Sequence, residues 1–198
     1  ALWNGRYLLI SYVLPVIICL VCIFISHIFY GSQLIFSKEF LIHYEQSITG
    51  TYIAGEKVNF VPVRHLVYLF TLGVLINFLP FVGEEFGWRG FLLPKLLSLR
   101  NNQWMFLFHG ILWGIWYLPL ILMGHNFMEI QWLGIVFAIL SCSFTGSLAG
   151  WMYLKSNNMV VPAIFRATFR AVLQGIYDPF LIPKNNLLFS PSGLTGII

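Results

Sequence analysis

The stretch Val82-Gly83-Glu84-Glu85-Phe86-Gly87-Trp88-Arg89-Gly90-Phe91-Leu92-Leu93-Pro94 decides the reading of this chain, because it puts two adjacent carboxylates and a guanidinium inside an apolar run. A charge at the centre of a bilayer costs roughly 2.5–3.5 kcal/mol on insertion scales, so such groups persist where they pair or serve a site. A helix brings Glu85 and Arg89 together, at i and i+4 with the acid on the N-terminal side. Glu84 then points about 100° round from Glu85. One carboxylate is expected on the arginine while the other faces a cavity. The cluster reads either as a catalytic or transport site within the membrane or as an ion pair locking two helices.

The surroundings justify the bilayer. Of 198 residues, 59% are hydrophobic and 9% charged, and the mean hydropathy is +0.82. Soluble domains carry about 25% charged residues. The composition therefore implies an all-α, polytopic transmembrane helix bundle in the cell membrane, with lipid as its surroundings. Aromatic residues make up 18% of the chain, and many Trp and Tyr lie near segment ends, as in interfacial belts. The net charge of +4 is scattered, which fits positive loops at a membrane surface and gives no basic cluster for nucleic acid.

Working outward, residues 65–80 read as a span, with a break or kink at Pro80 before the helix over 82–97 that carries the glutamates. Broken helices at membrane depth line cavities. Residues 7–30 form an earlier span long enough to cross ~30 Å of hydrocarbon, with Pro15 inside it. Residues 31–64 hold Lys38, Glu39, His43, Glu45, Glu56, Lys57 and Arg64 and read as a water-exposed connection, with an amphipathic interfacial helix over 34–48. Further spans are expected over 103–123, 131–154 and 159–177, about five to six in all. Ser141, Ser143, Thr145, Gly146, Ser147 and Gly150 are small residues that let helices approach closely. The organisation is thus a first transmembrane helix with a polar connection (1–64), a transmembrane core (65–177) and an irregular tail (178–198). Counting spans puts Arg6, Lys95, Arg100 and Lys155 on one side, which the positive-inside rule makes cytoplasmic.

Other polar groups inside the spans complete the candidate site. Arg166 and Arg170 lie at i and i+4 in Pro162-Ala163-Ile164-Phe165-Arg166-Ala167-Thr168-Phe169-Arg170-Ala171 and share a helix face. Buried arginines need anions, and Glu84 and Glu85 are at hand. Arg170, nearer the helix end, has the alternative of snorkelling to an interface. Tyr117, in Trp113-Gly114-Ile115-Trp116-Tyr117-Leu118-Pro119, has a hydroxyl that either donates to a developing oxyanion or sits at the interface. His109 reads as a packing histidine. Cys19 and Cys22 form a C-x-x-C within an apolar helix and read as packing residues. No two histidines have H-x-x-x-H or H-E-x-x-H spacing, so the sequence makes no case for zinc or another cofactor.

The segment Gly83 to Pro94 closely resembles the E-E-x-x-x-R motif of the CAAX-type intramembrane proteases (the CPBP family, which includes bacteriocin-immunity proteins), with its Gly-Trp-Arg-Gly context matched. Gly110 to Leu120 is similar to the region of the second motif, F-x-x-x-H or W-x-x-W-H-x-P, and Val160 to Ala171 to that of the third, H-x-x-x-N. The resemblance covers residues 65–175. It implies an intramembrane endopeptidase in which glutamate activates water against a peptide or a prenylated protein, in a family described as metal-dependent. Glu84, Glu85 and Arg89 carry over directly. Tyr117 stands where the second motif has histidine, and Arg166 and Arg170 where the third has histidine and asparagine.

Two hypotheses result. In an active peptidase, Glu84 is the general base, Arg89 orients Glu85, and Tyr117 or an arginine stabilises the oxyanion. In an inactive relative, Glu84 and Glu85 pair with Arg166 and Arg170, and the protein binds a peptide or a membrane partner, as in bacteriocin self-immunity. Ion or proton transport is a third class that uses the same buried charges. The distances from the two carboxylates to Arg166 and Arg170 discriminate between the first two.

Overall fold

The computed structural model describes residues 5–30, 33–34, 62–100, 102–123, 131–173, 175 and 181–182. The described residues form a helical bundle, joined by one two-residue antiparallel pair. Helix α1 is Gly5–Tyr30. A long helical stretch follows, made of α2 (Pro62–Tyr68), a π turn (Leu69–Gly73), α3 (Val74–Glu85), a second π turn (Phe86–Leu92) and α4 (Leu93–Leu99). Then come α5 (Trp104–Trp116), α6 (Leu118–Leu122), α7 (Gln131–Ser156) and α8 (Val160–Val172). Strand β1 (Gln33–Leu34) pairs antiparallel with β2 (Leu181–Ile182), with Gln33 opposite Ile182. This puts an ordered pair into the tail that the sequence marks as irregular. The interfacial helix expected over 34–48 lies outside the described residues.

Among the described residues, four helices are long and apolar enough to cross a membrane: Gly5–Phe24, His65–Leu99, Trp104–Leu122 and Gly134–Ser156. The chain is an integral membrane protein. Helix α8 is of a different kind. Its 13 residues span about 20 Å at 1.5 Å per residue, and helical geometry continues at Leu173 and Gly175. It lies inside the bundle, packed by α1, α3 and α7. Val161, Pro162, Ala163, Phe165, Arg166, Ala167, Thr168, Phe169, Ala171 and Val172 are all buried, so the bundle closes around it. Asn158 starts this helix, its Oδ1 accepting the Val160 N–H at 2.9 Å.

The irregularity expected near Glu84 is present but is not a break at Pro80. Helix α3 runs through Pro80, and the departures from α geometry are the π turns on either side. Side chains satisfy carbonyls around the first of them: Thr71 Oγ1 donates to Val67 O (2.6 Å) and Asn77 Nδ2 to Gly73 O (2.7 Å). Such internal partners allow irregular backbone to persist where no water reaches it.

Helices α5 and α7 meet along a seam of small residues. A methyl group built at Gly110 would lie 2.4 Å from Ser143 Cα, and one at Gly114 would lie 2.7 Å from Ile139 Cα. Backbone contact of this kind needs glycine, and Gly110-x-x-x-Gly114 supplies it at i and i+4. Gly146, on the facing side, approaches Gly110 Cα and the Trp113 ring. The seam thus fixes where α5 presents Trp113.

Candidate functional site

The site lies where α3, the second π turn, α5, α7 and α8 converge. Trp113 falls near the middle of the apolar helical stretch Trp104–Leu122 and Gly146 near the middle of Gly134–Ser156, so the site lies midway along both. Glu85 is fully buried at the end of α3, and Arg89 is fully buried within the π turn that follows. Arg89 Nη1 donates to Glu85 Oε1 at 2.8 Å, the pairing expected from their spacing. The same Oε1 accepts Arg166 Nη1 at 3.1 Å. Arg166 Nη2 donates to Glu84 Oε2 at 2.8 Å and lies 3.5 Å from the Tyr117 hydroxyl oxygen. One guanidinium from α8 therefore spans both carboxylates.

The two glutamates differ in surroundings. The Glu85 side chain is 0% exposed and the Glu84 side chain 39% exposed. The helical offset between neighbours accounts for this: Glu85 points at α8, and Glu84 sits at the rim of the cluster. Arg166 is also 0% exposed. A charge buried to this extent is tolerable only with its counter-charges in place.

Trp113 holds the arginines from the other side. Its ring is fully buried, with Arg89 Cζ 4.4 Å and Arg166 Cζ 4.6 Å from its centroid. Arg166 Cζ also lies 4.2 Å from the Phe81 ring centroid. Cations over aromatic faces gain about 0.5–2 kcal/mol each, most where water is excluded. The sequence places Trp113 only within a motif region. Its role is visible once α5 and α7 bring its ring against two arginines distant in sequence.

His109 is fully buried, and its Nε2 lies 3.0 Å from Trp88 O. That carbonyl also accepts the Leu93 N–H, the five-residue bond of the π turn. A carbonyl only accepts, so Nε2 is the protonated nitrogen and His109 is a packing histidine that braces the turn carrying Arg89. Tyr117 differs from the interfacial reading. It is half-buried and faces Arg166, because α5 ends at Trp116 and the chain restarts as α6 with Pro119 in its first turn. Arg170 lies one turn beyond Arg166, half-buried and with an interaction of its own. The guanidinium groups described on the two carboxylates are those of Arg89 and Arg166. Cys19 and Cys142 are buried and Cys22 partly so, all as free thiols.

The donor set does not fit a divalent metal. Both carboxylates are already engaged by guanidinium groups at 2.8–3.1 Å, so a cation there would face two fixed positive charges. Among the described residues no group of three or more His, Cys, Asp or Glu is placed to share an ion.

A family profile described as type II CAAX prenyl endopeptidase Rce1-like matches residues 66–172, more than half of the chain. The chain belongs to this family. The match begins in α2 and ends with α8, so it contains every residue of the charged cluster. No curated protein and no solved structure gives a significant match. The Rce1-like match agrees with the E-E-x-x-x-R resemblance and with the membrane-crossing helices. Within the matched region, Arg166 occupies the carboxylates of the Glu84-Glu85-x-x-x-Arg89 stretch.

Proposed function

We propose that this protein is a charge-locked member of the Rce1-like family, which holds a peptide or a membrane partner in the cell membrane rather than cutting it. The observation that carries the reading is Arg166, bonded at once to Glu84 (2.8 Å) and Glu85 (3.1 Å). A general base must have a lone pair free for the proton it takes, within about 2.6–3.2 Å of the attacking water. Here a buried guanidinium holds that face of Glu84, and Glu85 Oε1 is shared by two arginines. Tyr117 and Arg166, in place of the motif histidines, provide no neutral base to relay a proton. Arg6, Lys95, Arg100 and Lys155 at the ends of successive spans support an orientation with those ends cytoplasmic.

An endopeptidase acting on peptides or prenylated proteins is the competing reading, favoured by the 39% exposure of the Glu84 side chain. In it, Glu84 turns from Arg166 to a water, and the arginine stabilises the oxyanion. The test is a cleavage assay in liposomes with prenylated and unprenylated peptides, comparing wild type, Glu84→Gln and the triple variant Tyr117→His, Arg166→His, Arg170→Asn. The charge-locked reading expects no cleavage by the first two and a gain in the third. Cleavage by wild type that disappears in Glu84→Gln would overturn it.

A further inference from the structure

We infer that the arginine cluster is a receptor for the carboxylate of an apolar ligand, and that Glu84 occupies the place of that carboxylate in the ligand-free protein. The inference deepens the holding function proposed above and rests on it. Arg89 and Arg166 both lie against the Trp113 ring, and all three are fully buried. Arg89 Nε, Arg89 Nη2, Arg166 Nε and Trp113 Nε1 have no hydrogen-bond partner among the described residues. The buried acceptor left over at the two carboxylates is Glu85 Oε2. Interiors leave few such groups unsatisfied, and a surplus of donors in one place calls for an acceptor from elsewhere. Guanidinium donors match a carboxylate best, because the planar fork meets both oxygens.

The way in is at Glu84. Of the four side chains in this cluster, Glu84 is 39% exposed, while Glu85, Arg89 and Arg166 are 0% exposed. A ligand carboxylate arriving there takes Arg166 Nη2 with one oxygen and the unpartnered Arg166 Nε, on the same edge of the guanidinium, with the other, and Glu84 turns outward along its exposed side. One monoanion replaces another on the same donor, and no covalent bond forms or breaks. The Tyr117 hydroxyl, 3.5 Å from Arg166 Nη2, keeps its own O–H to donate to the incoming group. Tyr117 is the first of a run of aromatic rings that continues through Trp116 to Trp88. The Trp88 and Trp116 rings lie 6.3 Å apart, and Trp116 lies 6.4 Å from the Tyr117 ring. The body of the ligand is therefore apolar. A fatty acid of the bilayer and the free C-terminus of an apolar peptide share this chemistry.

The test is calorimetric titration of the full chain in neutral detergent with palmitate and hexadecanol, and with an apolar tripeptide bearing a free or an amidated C-terminus. At least one acid binds at least about tenfold more tightly than its neutral analogue. Glu84→Ala, which vacates Arg166 Nη2 but leaves the Arg166–Glu85 pair, strengthens acid binding about tenfold further. Arg166→Gln abolishes the preference for acid. If Arg166→Gln does not fold, Glu84→Ala and Tyr117→Phe, which weakens acid binding, decide the matter. Preference for palmitate alone assigns the site to lipid, and preference for the free peptide alone assigns it to a C-terminus; either supports the receptor. Equal binding of acid and neutral analogue in wild type and Glu84→Ala, or binding of neither, overturns it and leaves the donors to internal water. Glu84-dependent cleavage in the same preparations would overturn the holding function separately, without altering the comparison of acid with amide.

Discussion

The α5–α7 seam and the α3–α8 contact lie side by side and hold helices together by opposite means. At the seam, Gly110 and Gly114 bring backbone against backbone, and packing does the work. At the α3–α8 contact, Arg166 reaches across to two glutamates and two aromatic rings. Lipid tails are as apolar as leucine, so burial of apolar surface alone does not drive helices together in a bilayer. What remains is close packing or polar bonding, and this protein uses one at each contact. The two are coupled, because the seam positions Trp113 and Trp113 carries both arginines.

The largest expected effect strikes the charged contact. Glu85→Ala leaves Arg89 and Arg166 without their shared oxygen and costs about 3–5 kcal/mol, the loss typical of breaking a buried pair. Glu84→Ala removes a part-exposed partner and leaves Arg166 on Glu85, so it costs about 1–2 kcal/mol. Thermal unfolding in detergent checks both. Equal melting temperatures for the two variants would contradict the division of labour between buried and rim glutamate.

Trp113→Leu tests the coupling between the regions. It removes a fully buried ring and the platform of two guanidiniums, for about 2–4 kcal/mol. Trp113→Phe keeps an aromatic face and recovers more than half of that loss. A phenylalanine no better than leucine would show that Trp113 contributes bulk alone.

Gly110→Ala tests the seam by itself. Its new methyl meets Ser143 Cα at 2.4 Å, a backbone atom that cannot rotate away. The helices must separate, at about 1–3 kcal/mol for overpacking. The smallest effect is at Gly83, where a methyl group meets nothing within 4 Å. Gly83→Ala is neutral or stabilising by up to about 1 kcal/mol through helix propensity. Equal destabilisation by Gly110→Ala and Gly83→Ala would remove the distinction between seam and open face.

Particular residues show how much could be read in advance. The Glu85–Arg89 pair follows from helix spacing, and the two bonded atoms lie where that spacing puts them. Arg166 is identifiable as a partner because a buried cation needs an anion and few anions exist in these spans. The helical ranges follow from apolar length. The Gly110-x-x-x-Gly114 signal is present in the sequence and marks the seam, although motif chemistry draws attention first to Tyr117 nearby. The choice between Arg166 and Arg170 was not legible. They share a helix face, and only the crossing of α8 on α3 selects the first. Pro80 reads as a break or kink, yet α3 runs through it, and the departures from α geometry fall in the π turns before and after α3.

The sequence by itself determined that this is a membrane protein of helices, that it carries Glu84-Glu85-x-x-x-Arg89 inside an apolar run, and that Arg166 and Arg170 lie in another such run. Hydropathy, helical spacing and residue identity are local properties and need no fold. The tertiary structure decided that Arg166 bridges Glu84 and Glu85, that Trp113 carries both arginines, and that Glu84 stays at the rim while Glu85 is sealed. Those outcomes depend on where helices far apart in sequence cross, which the backbone contacts at Gly110 and Gly114 help to fix and which no local pattern encodes.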